Sequence, residues 1–195
     1  VDYLIRNSKN AIILQQSYRI PSSVHDIATR CIGQVASRVS KKWAPRKEKG
    51  LVQWENSYES IDMSESDWLV LARTNYLLEG VETYCRSEGW FFKNKNRSSI
   101  SEKKVKSVKD WETIRAGRSI LVTELINILS YIKIRVPKSL SSLDFDSFIT
   151  FETAKVHIPS LKNEYWYDIF DGMSVSERSY IRAMLRRGEK ITKEP

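Results

Sequence analysis

Two adjacent side chains, Tyr18 and Arg19, could act together at a turn between a strand and a helix. They follow residues 11–15, whose β-branched and apolar character predicts a short buried strand. In an open α/β sheet, ligands bind at such turns. A tyrosine ring offers a flat face to a base, and a guanidinium is a permanently charged fork for phosphate oxygens. The alternative is a ring that covers the edge of the core beside a solvated surface charge.

A strongly amphipathic helix is predicted directly after this turn. Apolar residues recur at three- and four-residue steps from Val24 to Val39, which indicates a helix over 22–39 with Pro21 near its first turn. The basic loop that follows contains Trp43 and could grip a nucleic-acid strand by phosphate contacts and stacking. We favour the other interpretation, in which the loop is a solvated connection and Trp43 packs on the core.

Three further stretches predict a parallel sheet. Residues 51–54 and 90–92 have the composition of strands, and residues 68–72 form a near-continuous apolar run, as in strands buried on both faces of a parallel sheet. A helix that ends at Gly89 separates the last two strands. This alternation implies right-handed crossovers.

Two motifs in this half of the chain resemble the superfamily 1 DNA helicases of the UvrD/Rep type. Residues 14–19, Leu-x-Gln-x-Tyr-Arg, are similar to motif IV of that family, although Ser17 stands where Asn is usual and Ile20 and Pro21 stand where Ser-Thr is common. Residues 71–75, Leu-Ala-Arg-Thr-Asn, are similar to the family's motif IVa.

The resemblance implies roles for five residues. Tyr18 would stack on the adenine of ATP within a nucleotide-binding segment that includes Gln16, and Arg19 would reach the γ-phosphate as an arginine finger. Arg73 and Asn75 would lie on the single-stranded DNA track, close to the backbone and bases. The implied cofactor is ATP, with Mg²⁺ held by a part of the protein outside this chain, so no metal ligand is expected here.

The resemblance also implies the organisation of the chain and its fold class. Residues 1–97 would form part of the RecA-like domain 2A, and residues 98–195 a mainly helical insertion, similar to subdomain 2B, that leads toward motif V. The expected class is therefore α/β, with a partial RecA-like parallel sheet flanked by helices and a mainly α-helical insertion subdomain.

The pattern of the second half itself predicts helices. Apolar residues recur at helical spacing over about 105–114 and 121–132, and Ser174 with Glu177 forms a capping box for a last helix. That helix carries a basic face of four arginines, which are Arg178, Arg182, Arg186 and Arg187. An aromatic cluster at residues 165–170 is expected to pack in the core.

Composition and missing motifs restrict the activity. The chain has 41% apolar and 29% charged residues, as in globular domains, and its net charge of +8 favours a polyanionic partner such as nucleic acid. It contains no Gly-x-x-x-x-Gly-Lys-[Ser/Thr] phosphate loop. The function that the resemblance implies is that of a fragment of an ATP-dependent DNA helicase or translocase, which supplies one wall of the ATP cleft; without the phosphate loop it is expected to be inactive alone. The alternative is a non-enzymatic basic module that binds nucleic acid or protein.

The expected partners follow from the resemblance, and the expected compartment follows from the two cysteines. The resemblance implies that the partners are DNA, both single-stranded and at a junction with duplex, and the missing 1A, 1B and remaining 2A segments. The sequence contains no apolar stretch of membrane-spanning length and no signal peptide, so no membrane association is expected. Cys31 and Cys85 lie on predicted apolar helix faces, and two buried reduced thiols predict a cytoplasmic protein.

Overall fold

Helices predominate in the computed structural model, which describes residues 15–36, 42–95 and 97–188. Within these ranges there are eight α-helices and two antiparallel sheets of two strands each, so the fold is mixed α and β. No helix in this part of the chain is long and apolar enough to cross a bilayer. The chain divides into two compact units, Val1–Ser66 and Asp67–Pro195, and each is described by itself.

The first unit contains one α-helix, α1 (Ser22–Gly33), and one 3₁₀ turn (Tyr58–Ser60) among its described residues. The predicted helix over 22–39 is too long, because α1 ends at Gly33, a residue that disfavours helix continuation, and residues 34–36 are not helical. No residue of α1 is buried by the described part of the unit. The expected burial of Cys31 is therefore wrong: its thiol is free and exposed.

The predicted parallel sheet does not form among the described residues. Residues 51–54 and 68–72 are not strands, residues 90–92 precede a hairpin, and residues 11–14 lie outside the described ranges. The parallel pairing that is present is a single bridge between Gln16 and Ala44. An apolar sequence favours extended backbone, but a strand also needs a hydrogen-bonded neighbour, and residues 69–71 have none in the described part of the chain. The RecA-like sheet thus remains a prediction.

The second unit is built from seven helices and both sheets. Two of its helices, α5 and α7, are single turns, and its strands pair as the hairpin β1–β2 and as the long-range ladder β3–β4. In chain order the elements are α2 (Tyr76–Glu88), β1 (Lys93–Asn94), β2 (Arg97–Ser98), α3 (Glu102–Arg115), β3 (Ile120–Leu121), α4 (Val122–Tyr131), α5 (Lys138–Ser141), β4 (Phe148–Ile149), α6 (Phe151–His157), α7 (Trp166–Ile169) and α8 (Val175–Arg187).

The core of this unit is mainly aliphatic and includes an aromatic cluster beside α3. Trp111, Trp166 and Phe170 are almost completely buried. The Phe170 ring meets both tryptophan rings edge to face, at centroid distances of 6.4 Å from Trp111 and 6.2 Å from Trp166. The buried indole of Trp111 keeps a partner, because its Nε1 donates to the Glu164 carbonyl at 3.0 Å. The expectation that the cluster at residues 165–170 packs in the core is confirmed for Trp166 and Phe170, whereas Tyr165 is exposed and Tyr167 is half-buried.

A close joint connects α2 to α8. Gly89 ends α2 in the left-handed conformation (φ 76°), and a Cβ there would lie 2.5 Å from the backbone carbon of Ala183 in α8. Next to it, the Tyr180 hydroxyl donates to the Trp90 carbonyl at 2.6 Å. Residues 67–97 therefore belong with the helical unit, and the structure divides the chain after Ser66. The domain boundary at residue 97, which the resemblance implies, stays a prediction.

Candidate functional site

The turn that carries Tyr18 and Arg19 is held against a second segment of the first unit. The Ser17 amide donates to the Ala44 carbonyl at 2.8 Å, and the Ala44 amide donates to the Gln15 carbonyl at 2.7 Å. Two residues further on, the Arg46 amide donates to the Ile20 carbonyl at 2.9 Å. The backbone on both sides of Tyr18 and Arg19 is thus fixed by hydrogen bonds to residues 44–46.

Gln16 strengthens the same attachment through its side chain. Its Nε2 donates to the carbonyl of Pro45 at 2.9 Å and to that of Ser17 at 3.0 Å. The amide nitrogen is therefore engaged with the protein backbone. In this structure Gln16 holds the turn in place, and its contact with a nucleotide stays a prediction.

Tyr18 and Arg19 both face solvent. The Tyr18 side chain is 84% exposed, and Arg19 is exposed beside it. Neither side chain makes a hydrogen bond, ion pair or ring contact with a described residue. The Ser17 hydroxyl accepts from the amides of Arg19 (3.4 Å) and Ile20 (3.3 Å), which tightens the turn below them. A fixed backbone thus presents a free ring and a free guanidinium.

The first two amides of α1 are not available to an anion. They are taken by carbonyls of the neighbouring loop, because Ser22 donates to Glu48 at 3.2 Å and Ser23 donates to Lys49 at 3.0 Å. Gly50 makes this close approach possible: it has φ 68°, and a Cβ there would lie 2.6 Å from the Pro21 Cβ. Since a helix N-terminus usually binds phosphate through such free amides, recognition of a phosphate at this turn would depend on Arg19.

His25 on α1 contacts Trp43 in the basic loop. The sequence alone assigned no role to this histidine. The His25 ring meets the Trp43 ring edge to face at 4.3 Å, and its Nε2 lies 3.1 Å from the Trp43 carbonyl. Trp43 therefore packs on α1, and not on a buried core as the favoured interpretation expected, since no described residue of α1 is buried. The position of His25 beside the apolar stripe of α1 was the only hint that it could pack against another segment. That position does not identify Trp43, 18 residues away, as the partner.

Arg73 and Asn75 lie on the second unit, in the exposed segment that leads into α2. Asn75 precedes the first helical residue, and its carbonyl accepts from the Leu78 amide at 2.9 Å, but its side chain makes no capping hydrogen bond. No hydrogen bond or ion pair to a described residue engages the Arg73 guanidinium. Both side chains are free to meet a ligand.

The densest charge cluster of the second unit joins two helices of the core. Lys106 on α3 is bonded to Asp110 at 2.8 Å and also to Glu124 on α4. Burial raises the pKa of Asp110, and the nearby Glu124 carboxylate raises it further. The described residues contain no group of three or more His, Cys, Asp or Glu side chains that could hold a metal ion. The cluster is therefore an electrostatic link between α3 and α4.

Three arginines on α8 lie over aromatic rings, which the spacing of the basic residues did not reveal; the guanidinium carbon of Arg178 lies 5.2 Å from the centre of the Tyr167 ring. The guanidinium carbon of Arg182 lies 4.5 Å from the centre of the Tyr167 ring, and that of Arg187 lies 3.5 Å from the centre of the Trp90 ring. Both rings come from other elements of the second unit. The sequence predicted the basic face but not these neighbours.

The structure thus places the predicted residues in two groups. Gln16, Tyr18 and Arg19 share one turn of the first unit, and Arg73 and Asn75 share one segment of the second. Each group combines a cation with a polar or aromatic neighbour that suits a nucleotide or a nucleic-acid strand. No family model, no curated protein and no solved structure matches this chain.

Proposed function

We propose that this chain is part of an ATP-dependent DNA helicase or translocase of the UvrD/Rep type. It supplies one wall of the ATP cleft and a part of the single-stranded DNA track. The observation that carries the proposal is the pair Tyr18 and Arg19, which are adjacent, exposed and unpartnered among the described residues, on a turn that backbone hydrogen bonds hold rigid.

The chemistry of the pair suits the γ-phosphate side of such a cleft. Tyr18 stacks on the adenine, a contact of about 1–3 kcal/mol by analogy with base–aromatic stacking in nucleic-acid complexes. Arg19 stabilises the charge that develops on the transferred phosphoryl group, and arginine fingers contribute roughly 10³–10⁵ in rate. The phosphate loop and the residues that hold Mg²⁺ come from the companion domains, so this chain alone is inactive.

The exposed apolar segment at the start of the second unit also supports a RecA-like arrangement. Leu69 and Leu71 are each 81% exposed, although their sequence is that of a strand buried on both faces of a parallel sheet. A segment of this composition is stable as a strand only when neighbouring strands pair with it and bury its side chains. The described residues do not supply such strands. Arg73 and Asn75 follow it directly, where the DNA-facing loop of the proposed track would begin.

In the proposed mechanism, nucleotide binding and DNA movement are coupled by domain closure. ATP draws Arg19 and its turn toward the companion domain, and hydrolysis releases them, which is a hinge motion. In the domain 2A that the resemblance implies, Arg19 and Asn75 belong to one domain, so this closure shifts the DNA-facing segment along the strand. In this scheme the chain contributes two contact points and no catalytic base.

Photolabelling with an azido-adenine analogue of ATP tests the nucleotide site on this chain. Tyr18→Phe keeps the ring and retains labelling, whereas Tyr18→Ala lowers it by about 5- to 140-fold, because the lost stacking is worth about 1–3 kcal/mol. Tyr76→Ala is the matched control, since Tyr76 is a tyrosine of the second unit that is 76% exposed. Equal labelling of the Tyr18→Ala variant and the unaltered chain would overturn the proposal.

A second experiment tests Arg19 in the polypeptide that also carries the phosphate loop. Arg19→Ala is expected to lower DNA-stimulated ATP hydrolysis by about 10³-fold or more, as for other arginine fingers, and to leave DNA affinity nearly unchanged. Near-normal ATP hydrolysis would contradict the role. The alternative, a non-enzymatic basic module, predicts no specific labelling at Tyr18 in the first experiment.

A further inference from the structure

Three arginines of α8 carry guanidinium groups that no described carboxylate neutralises. Arg182, Arg186 and Arg187 make no hydrogen bond or ion pair through their side chains with any residue that the structure describes. Arg182 stacks on Tyr167 and Arg187 stacks on Trp90, so the faces of these two groups are occupied. Stacking leaves the five N–H donors of each guanidinium free at its edge, and it restricts the motion of the side chain.

Arg178, the fourth arginine of the row, plays a supporting part instead. Its side chain is only 14% exposed, its Nη1 donates to the Tyr167 carbonyl at 2.6 Å, and it lies 3.8 Å from an Asp171 carboxylate oxygen. The Tyr167 hydroxyl is in turn within 3.0 Å of the Ser179 hydroxyl. Tyr167, on whose ring Arg182 stacks, is thus held by α8 at its backbone carbonyl and at its hydroxyl.

Two of these three arginines, Arg182 and Arg186, lie on the side of α8 away from the core. Tyr180, Ile181 and Met184 bury the inner side of α8, whereas Arg182 and Arg186, which are four residues apart, lie on the opposite side. Their Cα atoms are separated by about 6 Å along the helix axis, which lets neighbouring guanidinium groups contact successive phosphates of one strand. Arg187 flanks this row beside Trp90.

We propose that the surface formed by Arg182, Arg186 and Arg187 binds the phosphodiester backbone of nucleic acid without sequence preference. The net charge of +8 steers a polyanion toward the chain, and preordered guanidinium groups then bind its phosphates. An anionic membrane fits less well, because an interfacial helix inserts an apolar face and that of α8 is already buried in the core. The proposal deepens the DNA-binding part of the proposed function and does not depend on the nucleotide role of Tyr18.

The test measures how the affinity of the full chain for a labelled DNA duplex depends on salt. Each phosphate contact contributes about 0.9 to the slope of log affinity against log salt, which is about eightfold in affinity near 0.1 M salt. The double variant Arg182→Gln/Arg186→Gln is therefore expected to lower the slope by about 1.8 and to weaken binding by up to about 60-fold. Arg186→Gln alone, at an exposed position without a stacking partner in the described residues, is expected to lower the slope by about 0.9 and to leave the fold intact.

A matched control removes the same charge from a different helix. Lys103 and Lys109 are exposed on α3 and make no described ion pair, so Lys103→Gln/Lys109→Gln is expected to leave the slope nearly unchanged. An equal loss in both double variants would overturn the proposal, because it would show an effect of net charge only. Wild-type binding to vesicles with anionic lipid, in the absence of DNA binding, would also overturn it. Continued azido-ATP labelling of Tyr18 in the arginine variants would show that failure here leaves the nucleotide site standing.

Discussion

Gly89 offers a sharp test of how the second unit holds together. Its φ of 76° is a left-handed conformation, and a Cβ at this position would lie 2.5 Å from the Ala183 carbonyl carbon and 2.6 Å from the Met184 amide. Both atoms belong to the backbone of α8, which cannot move aside as a flexible side chain can. Gly89→Ala is expected to destabilise the unit by about 2–5 kcal/mol, the sum of about 1–2 for the left-handed alanine and about 1–3 for the overpacked joint.

Gly117 provides the matched control for this substitution. It has nearly the same backbone conformation, with φ 81°, but a Cβ there would meet nothing within 4 Å. Gly117→Ala is therefore expected to show only the backbone part, about 1–2 kcal/mol. Urea unfolding followed by far-ultraviolet circular dichroism measures both free energies on the full chain. If the two variants lose the same stability, the close packing of α2 on α8 does not exist as described.

Two further predictions concern a charged contact and the first unit. Burial raises the pKa of Glu177, but the bonds from Lys104 and Ser174 lower it by more, so the folded-state pKa lies below the ordinary 4.5. The stabilisation from this contact is therefore present above pH 4.5 and is lost as the pH falls through the folded-state pKa. In thermal unfolding, the melting temperature of Glu177→Gln should decline less steeply with acidification than that of the unaltered chain. An equally steep decline in both proteins would contradict the contact. In the first unit, Gly50→Ala places a Cβ against Pro21 and is expected to weaken the hydrogen bonds of the Ser22 and Ser23 amides. Hydrogen exchange of these two amides should become faster by about tenfold or more, the equivalent of about 1.4 kcal/mol. Unchanged protection would contradict the hydrogen bonds between α1 and residues 48–49.

The helices of the second unit could be predicted because their signals are local. The apolar spacing around Trp111 marks α3, and Ser174 with Glu177 forms the expected capping box, in which the Glu177 amide donates to the Ser174 hydroxyl at 3.2 Å. Gly89 ends α2 with the left-handed conformation that a glycine C-cap predicts. In each case the residues that decide the structure lie within one or two helical turns of one another.

The strands could not be predicted in the same way, because pairing depends on residues far apart in the chain. Ile120 pairs with Ile149 across two intervening helices, and no feature of either segment identifies the other. The apolar run at 68–72 has the composition of a buried strand, but residues 69–71 have no hydrogen-bonded neighbouring strand in the described part of the chain. Local pattern predicts the tendency of a segment, whereas the rest of the chain decides whether that tendency is used.

The candidate site was also predictable only in part. The motif around Tyr18 and Arg19 singled out the two residues and implied that they are accessible, and they are exposed in the structure. Their support by the loop after α1 depends on contacts such as that between Gln16 and Pro45, 29 residues apart. The stacking of Arg187 on Trp90 is likewise a tertiary contact that a basic helical face does not reveal.

The joint between α2 and α8 has a consequence for the folding kinetics of the second unit. The Tyr180 hydroxyl and the Trp90 carbonyl that it contacts are 90 positions apart, so closing the joint orders a long loop, whereas α3 and α4 are neighbours in the chain. Loop-closure entropy delays such distant contacts until nearer ones have formed. Weakening the joint should then accelerate unfolding and leave the refolding rate almost unchanged, as expected for contacts absent from the transition state.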